Sequence, residues 1–493
     1  MKFKVIVGLL LLASPLSQAA EPSGEAENKP LKVESLFQQN CASCHGATLS
    51  GGMAGSLLDD KWLQDGEEKT LKNIIQNGDG KAGMPAWKAA LDEDQIRALV
   101  IYIKEEKHKA DSGAATEKLK PKGGVYHSAG ATFRVETLFA ADEVLWGLEF
   151  LDDRSFIATQ RDGKLWHFKA PSKATEIKSS DKGLLQPEAI TGLPKVWREG
   201  QGGLLDVAVH PKYKKNGWIY LAYTDTVDGK SAMTRIVRGK IKRGKWTKQQ
   251  TIFSVDSSFY TPMKWHFGSR ILLHDGYVYF SVGDRANQNL AQDLSKPNGK
   301  IYRLHDDGRI PKDNPFVDQP GALPAIWSYG HRNPQGLALQ PGSGLIWASE
   351  HGPRGGDEIN VIEKGRNYGW PVITYGMNYD GTPITSLTEK AGMEQPKHYW
   401  VPSIAVAGIN FYEGSMFPEW SGKLLASGMA AKALHLLRVD GTHVLKDEVL
   451  LADQGRIRDA VVAADGSIYI LATSDNFKGS ILRLSAAPSP VAK

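Results

Sequence analysis

A short unit recurs six times along the chain, and it limits the fold more than any other feature of the sequence. Each copy is a turn with glycine followed by a strand of apolar and aromatic residues, and the copies lie roughly forty to eighty residues apart. They begin at Asp162, Asn216, Asp275, Ser343, Ser421 and Asp465. That interval suits one four-stranded blade with loops of variable length, so a mainly β, six-bladed β-propeller is predicted. A generic all-β sandwich is the alternative, because short hairpins alone do not determine topology.

Changes in composition along the chain divide it into a signal peptide, two domains joined by a linker, and a tail. Residues 1–20 read as a signal peptide, with Lys2 and Lys4 before an apolar run that is too short to span a membrane. A small all-α domain is predicted for 31–108. The polar run from Lys107 to Gly124 lacks apolar periodicity, which is typical of a flexible linker, and the linker is assigned to 109–127. The propeller is assigned to 128–486, and 487–493 to a disordered tail.

The segment Cys41-Ala-Ser-Cys44-His45 contains the two cysteines of the chain at the spacing of covalent c-type haem attachment. Half of a zinc site or a redox disulfide are the alternatives. Haem attachment is favoured because no second cysteine pair exists to complete a zinc site and because the predicted signal peptide implies export. His45 is then the proximal iron ligand, and the haem carries out one-electron chemistry.

The second axial ligand is predicted to be Met84, in Gly83-Met-Pro-Ala-Trp87, since His/Met ligation raises the potential of the iron. Met53 is the second candidate, and core packing is the structural alternative for Met84. A closing helix is expected next, because Asp92 and Gln95 have capping-box spacing and apolar residues follow at helical intervals. This segment resembles a small class I cytochrome c.

Polar clusters in the region of the repeats are dense in arginine, with Arg332, Arg354, Arg456 and Arg458 among them. Propellers carry their functional loops around one mouth of the channel, and several guanidinium groups there would suit a polyanionic ligand. The alternative is that each arginine pairs with a local acid, such as Arg458 with Asp459. The formal charge of +5 is too small to imply nucleic-acid binding.

Residues 130–486 resemble the soluble, propeller-type PQQ-dependent sugar dehydrogenases that act on glucose, aldoses and sorbosone. The resemblance depends on ordered motifs: QGGLLDVAVHP from Gln201, HFGSR from His266, GHRNPQG from Gly330, SEHGPRGGDEIN from Ser349, KGRNYGWP from Lys364 and RIRD from Arg456.

The resemblance implies roles for residues around the reacting centre. His266 would be the catalytic base that takes the proton of the sugar's anomeric hydroxyl, for which a near-neutral pKa is suited. Arg332 and Asn333 would contact the quinone oxygens, and Gln201 the substrate. Glucose-oxidising members have an aspartate where this chain has Trp265, so a sugar-contacting carboxylate is missing and the resemblance does not extend to glucose as the substrate. Trp265 is expected to stack on a pyranose face.

The resemblance also implies the remaining cofactor contacts. Lys432, Arg456 and Arg458 would bind the carboxylates of PQQ, although the residues around Lys432 match poorly and a solvated lysine is the alternative there. The backbone carbonyls of Gly352 and Pro353 would bind a calcium ion, which prefers oxygen ligands.

The function expected from both domains is that of a periplasmic or secreted quinohaemoprotein. The propeller would oxidise an aldose or related aldehyde to its lactone or acid, and the electrons would reach the fused haem c and then a downstream cytochrome or oxidase. Two alternatives remain. The first is a calcium-dependent propeller lactonase, which would not need the positive charges of Arg332, Lys432, Arg456 and Arg458. The second is a non-catalytic haem-bearing sugar-binding protein. Whether a homodimer forms is left open.

Overall fold

The computed structural model describes residues 31–59, 68–152, 155–169 and 185–487. In this part of the chain a helical N-terminal domain precedes a ring of β-sheets, which confirms the predicted fold class. The predicted signal peptide and residues 488–493 of the predicted tail lie outside the described residues. None of the helices described is long and apolar enough to cross a membrane.

The N-terminal domain consists of helices that enclose an apolar core. The described helices are α1 (Val33–Asn40), α2 (Ala42–His45), α3 (Glu68–Asn77) and α4 (Glu93–Lys118). Phe37 on α1, Ile75 on α3 and Leu99 on α4 are buried together. The capping box predicted for α4 is present: the backbone N–H of Gln95 donates to Asp92 Oδ1 at 2.8 Å, and the N–H of Asp92 donates to Gln95 Oε1 at 3.0 Å.

The prediction of a flexible linker from Lys107 to Gly124 is wrong for its first two thirds, because α4 continues without interruption to Lys118. Lysine and acidic side chains on successive turns support this polar extension, with Lys107 contacting Asp111 at 3.0 Å. The helix therefore does not need the apolar periodicity on which the prediction relied.

The described strands form six sheets, and each sheet is one blade of the predicted propeller. Strands β1 (Tyr126–Ser128) and β2 (Ala131–Ala140) come first in the chain and belong to blade 6. Blade 1 contains β3 (Leu145–Asp152), β4 (Ser155–Gln160), β5 (Lys164–Lys169) and β6 (Glu188–Ile190). Blade 2 contains β7 (Leu204–Val209), helix α5 (Tyr213–Asn216), β8 (Ile219–Thr226), β9 (Ala232–Lys242) and β10 (Lys245–Phe253). Blade 3 contains β11 (Ile271–His274), β12 (Tyr277–Val282), β13 (Lys300–His305) and β14 (Ile326–Tyr329).

The later blades follow the same antiparallel order. Blade 4 contains β15 (Pro334–Leu339), β16 (Ile346–Glu350), β17 (Asp357–Ile362) and β18 (His398–Trp400). Blade 5 contains β19 (Val406–Phe411), β20 (Leu424–Gly428), β21 (Ala433–Asp440) and β22 (His443–Ala452). Blade 6 adds β23 (Arg456–Val462), β24 (Ile468–Thr473) and β25 (Gly479–Ala486) to β2 and β1. Central strands such as β24 are buried along their whole length, because neighbouring blades cover both of their faces.

The ring closes by combining the two ends of the propeller segment in one blade. Strand β2 pairs antiparallel with β25, with Val135 opposite Leu484. The innermost strand of each blade packs on that of the next, and β23 of the last blade contacts β3 of the first. Closure buries edges that an open sheet would expose.

The antiparallel order places two kinds of connection at one end of the channel. These are the segments that enter each innermost strand and the connections from the second to the third strand of each blade. We call this end the site mouth. Five of the six glycine turns found in the sequence connect first to second strands and so lie at the opposite end; Asp162-Gly163 instead connects β4 to β5, at the site mouth.

Candidate active site

A cavity of about 530 Å³ opens at the site mouth. Residues from widely separated parts of the chain line it, because each blade contributes its own connections. The predicted residues Gln201, Trp265, Arg456 and Arg458 are among the lining residues, whereas the cavity wall also includes Arg161, which the sequence did not indicate. The cavity thus collects four of the predicted residues, and the others are not among its lining residues: His266, Arg332, Asn333, Gly352, Pro353 and Lys432.

His266 is held beside this cavity by two polar side chains. Its Nδ1 lies 2.7 Å from Asp284 Oδ1, and its backbone N–H donates to Gln201 Oε1 at 2.9 Å. Asp284 is buried, and Trp370 Nε1 and the N–H of Ala286 also donate to it, each at 2.8 Å. An ionised carboxylate only accepts, so Nδ1 carries the proton and Nε2 is left as the acceptor of a neutral imidazole.

The electrostatics of this pair favour a neutral, proton-accepting histidine. Burial lowers the pKa of His266, and the hydrogen bond with Asp284 offsets only part of that effect. Burial alone would raise the pKa of Asp284, but its hydrogen bond with His266 and the charge of Arg332 hold that pKa below its usual value. A charged aspartate and a neutral histidine are the protonation states that a general base requires.

The backbone at His266 is held in a conformation that L-residues adopt infrequently, with φ of 57°. Buried Arg285 donates to the carbonyl oxygens of Met263 and Trp265, and a Cβ at Gly283 would come within 2.3 Å of the carbonyl oxygen of His266. Glycine is therefore required at 283, and the loop that presents the histidine is positioned from two sides.

Arg332 and Asn333 lie at the start of β15, next to this pair. The backbone N–H of Asp284 donates to the carbonyl oxygen of Arg332 at 2.7 Å, while Asn333 Oδ1 accepts from the N–H of Gly268 at 3.0 Å. The guanidinium of Arg332 donates to the carbonyl oxygen of Gly352 at 2.7 Å. The two residues predicted to contact the quinone oxygens are thus adjacent to the predicted base.

Gly352 and Pro353 lie in the β16–β17 connection at the same mouth. The N–H of Gly352 donates to Asp357 Oδ1 at 2.9 Å, and its carbonyl accepts from Arg332. A Cβ at Gly352 would lie 2.3 Å from the backbone of Gly356, so only glycine fits there. Among the described residues, no cluster of three or more His, Cys, Asp or Glu side chains could hold a metal ion.

Positive charge at the cavity exceeds what the described protein groups neutralise. Arg458 forms no ion pair with a carboxylate among the described residues, and its Nε is buried without a partner there, whereas Arg161 contacts Glu143 at 3.2 Å. Burial, followed by the neighbouring charges of Arg161 and Arg456, lowers the pKa of Arg458 to about 9. Such a set of donors fits a ligand with several carboxylates.

The pairing of Arg458 with Asp459, which the sequence left open, is not the arrangement in the structure. Asp459 Oδ2 instead accepts from Arg270 at 2.8 Å, and Asp206 accepts from the same guanidinium at 3.1 Å. The ring of buried Trp146 contacts both Arg270 and Arg458, whose guanidinium carbons lie 4.6 and 5.6 Å from its centroid. Arg458 is therefore supported by an aromatic face rather than by a carboxylate.

Lys432 stands at the rim and does not line the cavity itself. Its Nζ contacts Asp475 at 2.8 Å, and its side chain is 40% exposed. Asp475 belongs to the cavity wall. Lys432 is thus partly exposed at the rim and reaches the cavity only through its ion pair with Asp475. This position lies between the two alternatives that the sequence left open, a solvated lysine and a direct contact with the cofactor.

Candidate site side chains that the sequence did not indicate come from the second-to-third connections. Arg161 follows directly on buried strand β4, and Asp284 follows buried strand β12 after one glycine. Polar residues immediately after a buried strand were the available signal. The sequence, however, does not show which strand ends meet at the site mouth.

The haem-attachment segment forms one turn of helix in the N-terminal domain. Cys41 and Cys44 are spaced for one face of α2, and His45 Nδ1 lies 3.3 Å from the carbonyl oxygen of Gly55, which leaves Nε2 available for a metal. Met84 packs against the same core as Cys41, whereas Met53 is 83% exposed. These residues fit a haem c, and of the two methionines Met84 is the better placed.

Fold and site define a class of protein: a propeller-type oxidoreductase that carries a cytochrome c domain. The family model described as Glucose / Sorbosone dehydrogenase matches residues 142–483, and the model described as Cytochrome C oxidase, cbb3-type, subunit III matches residues 28–103. The chain therefore belongs to the glucose/sorbosone dehydrogenase family, with a cytochrome c domain at its N-terminal side, as the sequence motifs predicted.

Individual relatives support the same placement. The chain is 40% identical over 365 residues to the aldose sugar dehydrogenase YliI of Escherichia coli (strain K12), covering 73% of this chain and 94% of that protein. The crystal structure of the soluble aldose sugar dehydrogenase from Escherichia coli in the apo form superposes with a TM-score of 0.64 at 39% identity, over 72% of this chain and 100% of the other. The PQQ-bound aldose sugar dehydrogenase from Streptomyces coelicolor gives 0.56 at 25% identity, over 72% and 98%.

Proposed function

We propose that this protein is an exported quinohaemoprotein that oxidises an aldose or related aldehyde to its lactone or acid through PQQ, with electrons passing to a covalently attached haem c. The observation that carries the proposal is the buried His266–Asp284 pair beside a cavity with surplus positive charge. Hydrolysis by a lactonase would need no such charge, and a binding protein would need no base.

The charges of the cavity residues support the proposal that PQQ binds there. Arg456 and Arg458 would bind its carboxylates directly, and Arg161 adds a third guanidinium that the family resemblance did not supply. Lys432 would contribute from the rim through its contact with Asp475. When bound, PQQ accepts a hydride and so provides the two-electron oxidation that amino-acid side chains cannot perform.

The proton of the reaction would pass to His266. Its Nε2 would accept the proton of the anomeric hydroxyl while Asp284 holds the ring in the required tautomer and stabilises the imidazolium that forms. Arg332 and Asn333 would stabilise negative charge that develops next to them, since their donors are fixed before the reaction begins.

The cavity entrance would select the sugar. Trp265 is 48% exposed and lines the cavity next to Gln201, an arrangement suited to stacking on a pyranose face and hydrogen bonding to its hydroxyls. Because no carboxylate stands at position 265, we propose aldoses other than glucose as the preferred substrates.

A calcium ion is proposed at the carbonyl oxygens of Gly352 and Pro353. The Gly352 carbonyl also accepts from Arg332, and a carbonyl oxygen has two lone pairs, so it can serve both. Since the described residues add no carboxylate cluster there, the ion would depend on oxygen atoms from the cofactor. Treatment with a calcium chelator should therefore release PQQ and calcium together.

In the N-terminal domain, thioether bonds from Cys41 and Cys44 would attach the haem, and His45 and Met84 would bind its iron. The haem, when attached, takes one electron at a time at a potential raised by the thioether ligand. Covalent attachment agrees with the export signal predicted for residues 1–20, and we propose a periplasmic or secreted location and a downstream cytochrome or oxidase as the final acceptor.

The test is a haem absorbance assay on the holoprotein, oxidised and supplied with calcium and PQQ, against a panel of aldoses. We expect the reduced-haem band to grow only when PQQ and a sugar are both present. His266→Ala should keep bound PQQ and haem but lose reduction by sugar. If no sugar reduces the haem although haem and PQQ are both bound, the dehydrogenase proposal is refuted and a lactonase or a sugar-binding protein is favoured. Hydrolysis and binding assays then distinguish these two alternatives.

A further inference from the structure

Two connections of blade 4 contact the candidate active site and the N-terminal domain at the same time. The first is the β16–β17 connection, residues 351–356, and the second is the segment 375–381, which precedes β18. We call these two segments together the docking platform. They join the site that oxidises sugar to the domain that carries the haem segment.

Within four consecutive residues, the first platform segment contacts both the candidate active site and the N-terminal domain. His351 lines the cavity, and the carbonyl oxygen of Gly352 accepts from Arg332. Two residues later the guanidinium of Arg354 reaches the N-terminal domain. This short segment is closely packed, since a Cβ at Gly352 would have no room.

Arg354 binds two acidic residues from different helices of the N-terminal domain. Its Nη1 contacts Glu34 on α1 at 2.7 Å, and its Nε contacts Glu105 on α4 at 2.9 Å. The side chain of Glu105 is 6% exposed and that of Arg354 19%, so this pair is largely shielded from solvent. Contacts to two helices at once define an orientation as well as a distance, as planar guanidinium groups do well.

The second segment repeats this pattern. The carbonyl oxygen of Tyr375 accepts from Arg97 Nη2 at 3.1 Å, and the carbonyl of Gly381 accepts from the N–H of Val33 at 3.0 Å. Met377 is 1% exposed and packs within the apolar core of the N-terminal domain. Between them, the ring of Tyr379 lies 5.9 Å from the guanidinium carbon of Arg332.

Aromatic residues add a further layer to the contact. Tyr375 and Tyr399 stack with ring centroids 3.8 Å apart and an interplanar angle of 18°. Helix α4 places a cation over each ring, with Arg97 5.8 Å from Tyr375 and Lys104 5.6 Å from Tyr399. The polar face of α4 is thus matched to the surface of blade 4.

We propose that the docking platform holds the N-terminal domain in one electron-transfer pose, with Arg354 as the positioning residue. The inference rests on the proposed function. Each sugar gives up two electrons and two protons, while a haem takes one electron at a time, so two transfers are needed per sugar and an external one-electron acceptor must reoxidise the haem between them. A tether alone would raise the local concentration of the haem without selecting a pose.

The experiment compares two acceptors in the complete holoprotein. Stopped-flow absorbance measures haem reduction by sugar, and a soluble artificial dye measures electron release that bypasses the haem. Arg354→Ala and Glu105→Gln change opposite sides of the same contact. Each should slow haem reduction about ten-fold or more and leave dye reduction within about two-fold, because only the pose is lost.

A second readout does not depend on activity. Hydrogen exchange should show faster exchange in both variants at the N–H groups that hold the platform, namely those of Arg354 and Met377, which bond to each other's carbonyls at 2.9 Å. Arg354→Lys, which retains one contact, should restore part of the rate. The matched control is Arg366→Ala, since Arg366 pairs with Glu363 and Glu394 within the propeller; it should change neither rate.

The possible results separate the two proposals. Unchanged haem reduction in both Arg354→Ala and Glu105→Gln, with dye reduction intact, would overturn the positioning role and leave the proposed function standing. Equal losses in haem and dye reduction would show a defect in the propeller itself and would also overturn the positioning role. A wild-type holoprotein that reduces neither acceptor with any sugar would refute the proposed function, and this inference with it.

Discussion

Replacement of Asp284 by asparagine tests the proton-accepting role of His266 most directly. In the structure Asp284 Oδ1 accepts from His266 Nδ1 at 2.7 Å and from the N–H of Ala286, while Oδ2 accepts from Trp370 Nε1. Asparagine has a single acceptor oxygen. If that oxygen faces Trp370, the amide NH₂ faces His266, and Nδ1 must then be the acceptor, which reverses the tautomer of the ring. If the oxygen faces His266, the NH₂ faces the Trp370 N–H, and two donors are placed against each other.

The size of the effect follows from this geometry. A hydrogen bond to a charged group contributes about 1.5–3 kcal/mol. Since about 1.36 kcal/mol corresponds to ten-fold in rate, losing that contribution in the transition state should lower kcat roughly ten- to hundred-fold. The ground-state fold should change little, because the side chains have nearly the same shape.

The pH dependence of activity provides a second test, because the proposed base predicts the direction in which the acid limb shifts. Neutral His266 is the active form, so activity falls as the pH drops through the pKa of His266, which burial places below the usual histidine value. The hydrogen bond with Asp284 raises that pKa, so Asp284→Asn should move the acid limb to still lower pH. A histidine that merely supports structure would show no such shift.

The assay is steady-state dye reduction by sugar with saturating PQQ, across pH 4 to about 8, the range in which a histidine titrates. Asp275→Asn is the matched control, because Asp275 lies in a glycine turn at the opposite end of the channel. A kcat for Asp284→Asn within two-fold of the wild-type value, with an unshifted acid limb, would refute the proposed base.

Three further variants test the other parts of the site. Arg458→Ala removes a buried guanidinium and should weaken PQQ binding by about 1.5–3 kcal/mol in a calorimetric titration, whereas unchanged affinity would remove Arg458 from the cofactor contacts. Met84→Leu should keep covalent haem but lower the potential in a redox titration, and an unchanged potential would exclude Met84 as the axial ligand. Asp92→Ala deletes the α4 cap and should cost the N-terminal domain about 1 kcal/mol in denaturant unfolding followed by haem absorbance; no loss would show that the cap is dispensable.

The blade architecture could be predicted because its signal is local and repeated. A glycine turn followed by an apolar strand needs only neighbouring residues, and six copies identify a ring. The same rule placed Asp162-Gly163 with the other five turns, although it connects β4 to β5 at the site mouth. The position of a turn within its blade depends on which strand packs innermost. The residues next to the turn do not show which strand that is.

The site was only partly predictable for a related reason. Motif resemblance identified His266, Arg332 and Arg458, whose types and neighbours match a family pattern. Asp284 and Arg161 carry no local signature, because their roles arise when connections from different blades meet at one mouth. The helical continuation of α4 was missed because its charged side chains pair along the helix and the segment has no apolar periodicity.

The ion pairs of the arginines near the cavity carry more functional information than their number. Arg270 and Arg458 both contact the ring of Trp146, yet Arg270 forms ion pairs with Asp206 and Asp459, whereas Arg458 has a lowered pKa and no carboxylate ion pair among the described residues. A fold gains nothing from an uncompensated buried charge, which costs free energy unless an anion shares the site. The ion pairs of Arg270 therefore account for its burial, whereas an anionic ligand would account for that of Arg458. Sequence alone shows two equivalent arginines, and only the three-dimensional partners distinguish the one that supports the propeller from the one that would bind the cofactor.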